Sequence, residues 1–286
     1  MKYLSLFSGI GGLESGLDKI GGQCIGFSEI KQSSMDIYQS HFPDRINIGD
    51  LTKVNYEDLE DFDLLMGGFP CQSFSLAGMR KGFNDPRGIM ILYIYNLLIV
   101  KKPKYFVLEN VKGILSHDNG KTYIKIHKLL KSAGYKLRIV LLNSLDYGSA
   151  QSRERVFFLG SLEEFPYKKP VVIDRDKVFK DIKEEGGDYR LYEFEDLRRF
   201  NLELIGDHDR VGTLTTQQGC GNKRVAVGDS FRELSVLECE RLQGFDEGWT
   251  TVEGVKVKDR YWALGNAVNC NVSDYLFRDY LKGVWF

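Results

Sequence analysis

The chain has no pair of cysteines spaced for a zinc site or a redox couple. Its five cysteines, Cys24, Cys71, Cys220, Cys239 and Cys270, are odd in number and scattered, with no CxxC. That argues against a disulfide framework and against a thiolate metal cluster, so no metal is expected and a reducing cytoplasm fits. A cysteine in such a chain is ordinarily a small buried hydrophobe, and Cys24, Cys239 and Cys270 are read that way. Long uncharged apolar runs are also missing. The best candidate, Ile89 to Val100, has about a dozen residues, which suits a buried helix rather than a membrane span. The first residues, MKYLSLFSGIGG, lack the longer apolar stretch and cleavage site of a signal peptide and read as a strand. Nor is there an excess of one charge. A net charge of -1 gives no global attraction to nucleic acid, so a binder must gather its positive charge locally. No internal repeat is visible.

What is present is an ordinary globular composition, 43% apolar over 286 residues, enough for a large core with a small appended domain. Strand patterns at Tyr3–Phe7, Gln23–Ser28, Ile46–Ile48, Asp63–Met66, Tyr105–Leu108, Leu137–Leu142 and Arg155–Leu159 interleave with helical ones. The helical patterns follow Leu13 and cover Ser34–His41, Ile89–Val100 and Tyr123–Ala133. That rhythm predicts a doubly wound α/β sheet. Such sheets bind ligands at the carboxyl ends of their strands. Gly9, Glu29, Asp50, Cys71 and Glu109 all sit at or just past predicted strand ends. From about Glu163 to Asp229 the chain turns polar and weakly periodic, which predicts a small domain of irregular strands and loops. Helical signal returns at Leu234, and a last helix is expected over about Ala267–Leu281. The domains are therefore 1–162, 163–230 and 231–286, the last completing the first.

Several segments at these strand ends have the residue types for chemistry. FSGIGG opens a helix with a tight glycine turn, letting backbone approach a ligand, but the spacing is not GxGxxG and no P-loop lysine follows. Glu29, about twenty residues on, stands where ribose hydroxyls are gripped, and Asp50 where an adenine amino group is accepted. Either carboxylate is also a plausible helix cap. Cys71, in GGFPCQSFS, precedes a loop with Gly78, Gly82 and Gly88 and the cations Arg80, Lys81 and Arg87. Such a loop suits closure over a polyanion, or is an ordinary surface loop. Glu109 follows the apolar run YFVL, where burial raises a carboxyl's pKa and equips it to hand over a proton; a structural hydrogen bond is the alternative. Arg153 and Arg155, two apart on a strand, point to one face and suit a carbonyl or phosphate, or an ion pair at a strand edge.

The order of these segments resembles the DNA (cytosine-5)-methyltransferase family. FSGIGG, GGFPCQSFS, ENV, QSRERVFFLG, RELSVLECERLQGF and LGNAV stand in that family's order along nearly the whole chain. The resemblance is weak only from about Glu163 to Asp209. It implies a Rossmann-like S-adenosylmethionine-dependent methyltransferase sheet with a small inserted target-recognition domain. Cys71 is then the nucleophile that attacks carbon 6 of a flipped cytosine, making carbon 5 nucleophilic. Glu109 would contact ring nitrogen 3, Arg155 the carbonyl oxygen at position 2, and Arg153 would support the site. Phe7, Gly9, Ile10, Gly11, Gly12, Glu29, Ile30, Asp50, Leu51 and Pro70 would hold S-adenosylmethionine, closed by Asn266 and Ala267. The loop Leu76–Gly88, with Ser75, Arg80, Lys81 and Arg87, would close over the base. Thr213 and Thr215 would meet phosphates, and Gln217, Gln218, Asn222, Lys223 and Arg224 bases or backbone.

The implied partner is duplex DNA, met by a monomer in the cytoplasm and at the nucleoid, with a cognate restriction endonuclease as a further possible associate and no membrane. A tRNA methyltransferase of this fold would carry a different cysteine segment and a Cys-Phe-Thr. A non-catalytic regulator would have lost Cys71 or Glu109. Two departures stand out. Ala150 replaces the family's proline before Gln151, which predicts a looser turn. The span Glu163–Asp229 carries fifteen acidic residues against twelve basic ones, so its DNA affinity needs a local face, the catalytic loop or a partner protein.

Overall fold

Alternation along each strand sorts side chains to the two faces of one sheet. The computed structural model describes residues 1–70, 90–187, 189–193 and 202–285. In β1 (Lys2–Leu6), Tyr3 joins one core cluster while Leu4 and Leu6 join another. After β1 come α1 (Glu14–Asp18), β2 (Gln23–Ser28), α2 (Gln32–His41) and β3 (Leu64–Gly68). Then follow α3 (Met90–Lys101), β4 (Tyr105–Val111), α4 (Lys121–Ser132), β5 (Lys136–Asn143) and β6 (Glu154–Ser161). Leu64 and Met66 of β3 and Tyr105 and Val107 of β4 face the first cluster; Leu65, Phe106 and Leu108 face the second. Burial on both faces explains why these strands read as nearly continuous apolar runs.

The strand order is β2-β1-β3-β4-β6-β5. β1 pairs in parallel with β2 and β3, and β3 with β4, while β6 runs antiparallel between β4 and β5. The chain turns from one side of β1 to the other between β2 and β3. That reversal opens a crevice at the carboxyl ends of β1 and β3, where ligands of such sheets bind. The expected strand Ile46–Ile48 is instead a single parallel bridge from Asn47 to Phe27, too short to extend the sheet.

A second sheet, ordered β7-β10-β9-β8, comprises β7 (Tyr192–Glu193), β8 (Glu203–Ile205), β9 (Lys223–Val227) and β10 (Ser230–Glu233). Behind it lies α5 (Val236–Gln243), started by a reciprocal cap between Ser235 and Glu238 and stopped at left-handed Gly244. α6 (Val257–Asn266) was not evident in the sequence, whose polar residues there mask the periodicity. The expected last helix starts late: Ala267 and Asn269 are extended, and the Asn269 side chain caps α7 (Cys270–Asp274). A π-helical stretch, Tyr275–Tyr280, follows. A third core cluster joins Ile10, Ala150, Val211 and Leu214 to Leu242, Leu264 and Ala267. It brings the first turn of the chain, the second sheet's approach and the final helices together.

Candidate active site

The turn after β1 is built for close approach. Phe7, Gly9 and Gly11 have φ of 53°, 57° and 90°, a region that L side chains enter only at a cost. Glu29, at the end of β2, ties this turn down. Its Oε2 accepts the Gly9 N–H at 3.0 Å, and its Oε1 accepts those of Ile30 and Lys31 at 2.8 Å each. Glu29 is not a side-chain cap of α2, which starts after Lys31 without one; it ties the glycine turn to the segment leading into that helix. A Cβ on Gly9 would meet nothing within 4 Å, whereas one on Gly12 would stand 2.2 Å from the Val268 carbonyl. The turn is open toward the crevice at Gly9 and packed against the C-terminal segment at Gly12.

The rest of the crevice is apolar and acidic. Ile30 is 72% exposed, a large apolar side chain left uncovered beside Glu29. Ile10 and Leu51 are buried beneath the turn, and Pro70 is exposed at its edge. Asp50 caps the short turn Leu51–Lys53, accepting from Thr52 N–H and hydroxyl at 3.0 and 2.8 Å. Those Thr52 bonds hold its carboxyl below the usual carboxylate range. Asn266 is exposed and donates to the Trp262 carbonyl, while Ala267 is buried beside it. Trp249 stacks on His41 and donates to the Ile10 carbonyl, so the C-terminal part walls the turn.

Glu109 lies inside β4 rather than after it, 9% exposed. Its Oε1 is 2.8 Å from Arg155 Nε of β6, and its Oε2 would stand 3.0 Å from a Cβ on Gly68. Burial pushes its carboxyl up; Arg155 first and Arg153 second pull the other way. Next to it, Asn110 Nδ2 donates to the Phe69 carbonyl at 2.9 Å, anchoring the backbone that leads into Pro70 and Cys71. Cys71 itself lies outside the described residues, as do Ser75, Arg80, Lys81, Arg87 and the loop Leu76–Gly88.

The two arginines do not share a task. Arg155 meets Glu109, but Arg153 is 2% exposed and turned inward. Its guanidinium donates to the carbonyls of Leu214 at 3.3 Å and of Gly265 and Ala267 at 2.9 Å each. No described group bonds its Nε. Arg153 thus bonds backbone carbonyls of two segments rather than pairing with Glu109. In the turn before Arg153, the Ala150 carbonyl accepts from Val211 N–H at 2.8 Å. Ser149 and Gln151 side chains both donate to the Leu242 carbonyl and hold the turn further.

Among the expected DNA contacts, Thr215, Gln217, Gln218 and Asn222 are exposed, and Thr213 donates to the Ser152 carbonyl. Two are corrected. Lys223 is only 5% exposed, with Nζ 3.4 Å from Glu203. Arg224 donates to the Gly221 and Lys223 carbonyls and stands 3.7 Å from Glu233. Alternation along β9 sends Lys223 inward and the turn before it holds Arg224, a placement that composition did not reveal. Sequence reasoning also missed that Cys220 and Cys239 sulfurs lie 3.1 Å apart, both buried. Nothing in their spacing of nineteen signals it. The buried pair of Arg232 and Glu238, and buried Glu14, were likewise missed.

A family model described as C-5 cytosine-specific DNA methylase matches residues 1–219 and 205–282. The chain belongs to that family. A type II methyltransferase of Neisseria lactamica, M.NlaIV, is 38% identical over 58% of this chain, and that match spans only 42% of its length. The chain thus matches less than half of that methylase. A second, M.NgoBI of Neisseria gonorrhoeae, is 32% identical over 86% of this chain and 83% of its own. Of the solved structures, the Dnmt2 methyltransferase of S. pombe overlays with a TM-score of 0.84 at 22% identity, covering 99% of both chains. That overlay places the methylase fold over the whole chain. No described helix is long and apolar enough to cross a membrane.

Proposed function

We propose that this chain is a DNA cytosine-5 methyltransferase that uses S-adenosylmethionine. The observation that carries the reading is the Glu109–Arg155 pair at 2.8 Å, beside the anchored approach to Cys71. The crevice residues suit the cofactor. Exposed Ile30 offers an apolar face to adenine, Glu29 and Asp50 keep lone pairs for ribose and amino donors, and open Gly9 lets backbone approach. Asn266 and Ala267 would close the methionine end, and Phe7, Gly11, Gly12, Leu51 and Pro70 would shape the rest. Bound there, S-adenosylmethionine supplies an electrophilic methyl group.

The chain's own residues make cytosine able to accept it. The Cys71 thiolate forms a bond to carbon 6, and the electron pair displaced from the ring double bond makes carbon 5 nucleophilic. Glu109, whose carboxyl burial pushes up toward holding a proton, is assigned to donate to ring nitrogen 3 as charge builds there. Arg155, oriented by Glu109, stabilises the oxygen at position 2. The base must leave the duplex, and the loop Leu76–Gly88 with Ser75, Arg80, Lys81 and Arg87 is assigned to that closure. The span 163–230 is assigned to recognition between the catalytic segments 1–162 and 231–286, with Thr215, Gln217, Gln218 and Asn222 as its exposed readers. The chain would act as a monomer on duplex DNA in the cytoplasm and at the nucleoid. A cognate restriction endonuclease is compatible with this and not required.

The test is transfer of labelled methyl from S-adenosylmethionine to mixed-sequence duplex DNA, with 5-methylcytosine positions read by sequencing. We expect label at one short motif, absent with Cys71→Ser. Binding of S-adenosylmethionine with no transfer to any DNA would overturn the reading.

A further inference from the structure

The segment that meets DNA in this reading and the segment that closes the cofactor crevice touch each other inside the protein. α6 approaches so closely that a Cβ on Gly265 would lie 2.3 Å from the Thr215 carbonyl oxygen and 2.7 Å from Thr216 N. One residue back, the peptide groups of Leu214 are held by buried side chains on both sides. Its N–H donates to Gln151 Oε1 at 3.0 Å, and its carbonyl accepts from Arg153. Each of those side chains reaches onward to the closing segment. Arg153 donates to Gly265 and Ala267, and Gln151 donates to Gln243, whose amide donates to Leu264 and Ala267. Val268 packs directly on Gly12 of the glycine turn. The contacts form an unbroken series from the turn at Gly9–Gly12 to exposed Thr215.

We infer that Arg153 is the positioning residue that couples the two sites, so that filling the cofactor crevice orders the recognition segment Thr213–Thr216, and duplex DNA there tightens the cofactor. A single guanidinium bonded to carbonyls of both segments cannot let one move without losing bonds to the other. Its planar fork satisfies three carbonyls in fixed relation, a geometry an ammonium does not match. None of its hydrogen-bond partners is a carboxylate; besides the nearby charge of Glu109, the bonds to Leu214, Gly265 and Ala267 hold this buried cation. Leaving those carbonyls would be costly, which makes the link stiff. Coupling between two binding sites is reciprocal and typically changes affinity by about 5- to 150-fold. A contiguous path is not itself evidence of coupling, so the test must read coupling directly.

The inference rests on the proposed cofactor site. The probe is S-adenosylhomocysteine, read by amide hydrogen exchange and calorimetry on the full chain. In the wild type it should slow exchange at 264–268 and also at 213–216. With Arg153→Met, slowing should persist at 264–268 and vanish at 213–216, and Arg153→Lys should restore part of it. The factor by which duplex DNA raises S-adenosylhomocysteine affinity should fall toward one in Arg153→Met. The coupling is overturned if wild-type exchange at 213–216 is untouched while the ligand binds. The role of Arg153 is overturned if both variants keep wild-type protection there. Should Arg153→Met not melt cooperatively, Arg153→Lys decides by the same two readouts. Failure of the wild type to bind S-adenosylhomocysteine at all would instead sink the cofactor reading, and this inference with it.

Discussion

Two buried carboxyls, Glu109 and Glu14, are pushed the same way by burial and put to different ends. Glu109 has a cationic partner, Arg155, and in the proposed mechanism its raised pKa equips it as the acid. The rate of methyl transfer in a single turnover should fall as pH rises through that pKa, because the donated proton is then gone. Removing the Arg155 cation, the largest opposing influence on Glu109, should move that midpoint upward while slowing transfer at every pH. A midpoint that moves down in Arg155→Ala would remove Glu109 as the acid. Glu109→Gln should lose about 10²- to 10⁴-fold in rate with DNA binding kept. Glu14 has no such task. It accepts from the Ser5 hydroxyl at 2.6 Å, its second oxygen has no hydrogen-bond partner among the described residues, and burial pushes it from 4.5 up to about 7. The native state therefore holds a proton that the unfolded chain releases between those values. Stability should fall as pH rises from about 4.5 to 7, by at most roughly 3 kcal/mol. Glu14→Gln should remove that loss, and urea unfolding of both proteins at pH 5 and pH 8 measures it.

At the scale of elements, the glycine turn separates two demands that the sequence FSGIGG merges. Gly9 is needed for its left-handed backbone and faces open space, while Gly12 is needed because Val268 leaves no room. Gly12→Ala forces backbone to shift and should cost about 1–3 kcal/mol, seen as a lower melting temperature. Gly9→Ala should cost only about 1–2 kcal/mol of backbone strain, yet weaken S-adenosylhomocysteine more than Gly12→Ala does, because its Cβ enters the crevice. Calorimetric affinities for the two variants test that ranking, and the reverse order would place the cofactor elsewhere. The turn itself was legible because strand, glycines and the acidic residue after β2 follow local rules. So were β1, β3 and β4, whose burial on both faces leaves continuous apolar runs. Ile46–Ile48 misled because an apolar pair beside the sheet looks like a strand whether or not a neighbour pairs with it. The last helix misled at its start, since extended Ala267 and Asn269 are held by Arg153 and the Asn269 cap, contacts made across the molecule.

Across the whole molecule, charge decides where DNA can be held. The net charge is -1, and the structure withdraws two cations from the recognition span by turning Lys223 inward and tying Arg224 to carbonyls. Identity of residues was enough to suggest these as readers; only strand register and the contacts with Glu203 of β8 and Glu233 of β10 show they are spent on the fold. In the proposed reading the phosphate contacts are then assigned mainly to Arg80, Lys81 and Arg87. Counterion release gives each phosphate contact about 0.9 in the slope of log affinity against log salt. Changing all three to alanine should make that slope shallower by about 2 to 3 on duplex DNA. Lys223→Met should leave the slope unchanged and act on folding instead, because its charge already meets Glu203. Fluorescence anisotropy across a salt series reads both. If Lys223→Met flattens the slope as one loop cation does, then the second sheet rearranges on DNA to release Lys223, and the recognition face must be redrawn around β9.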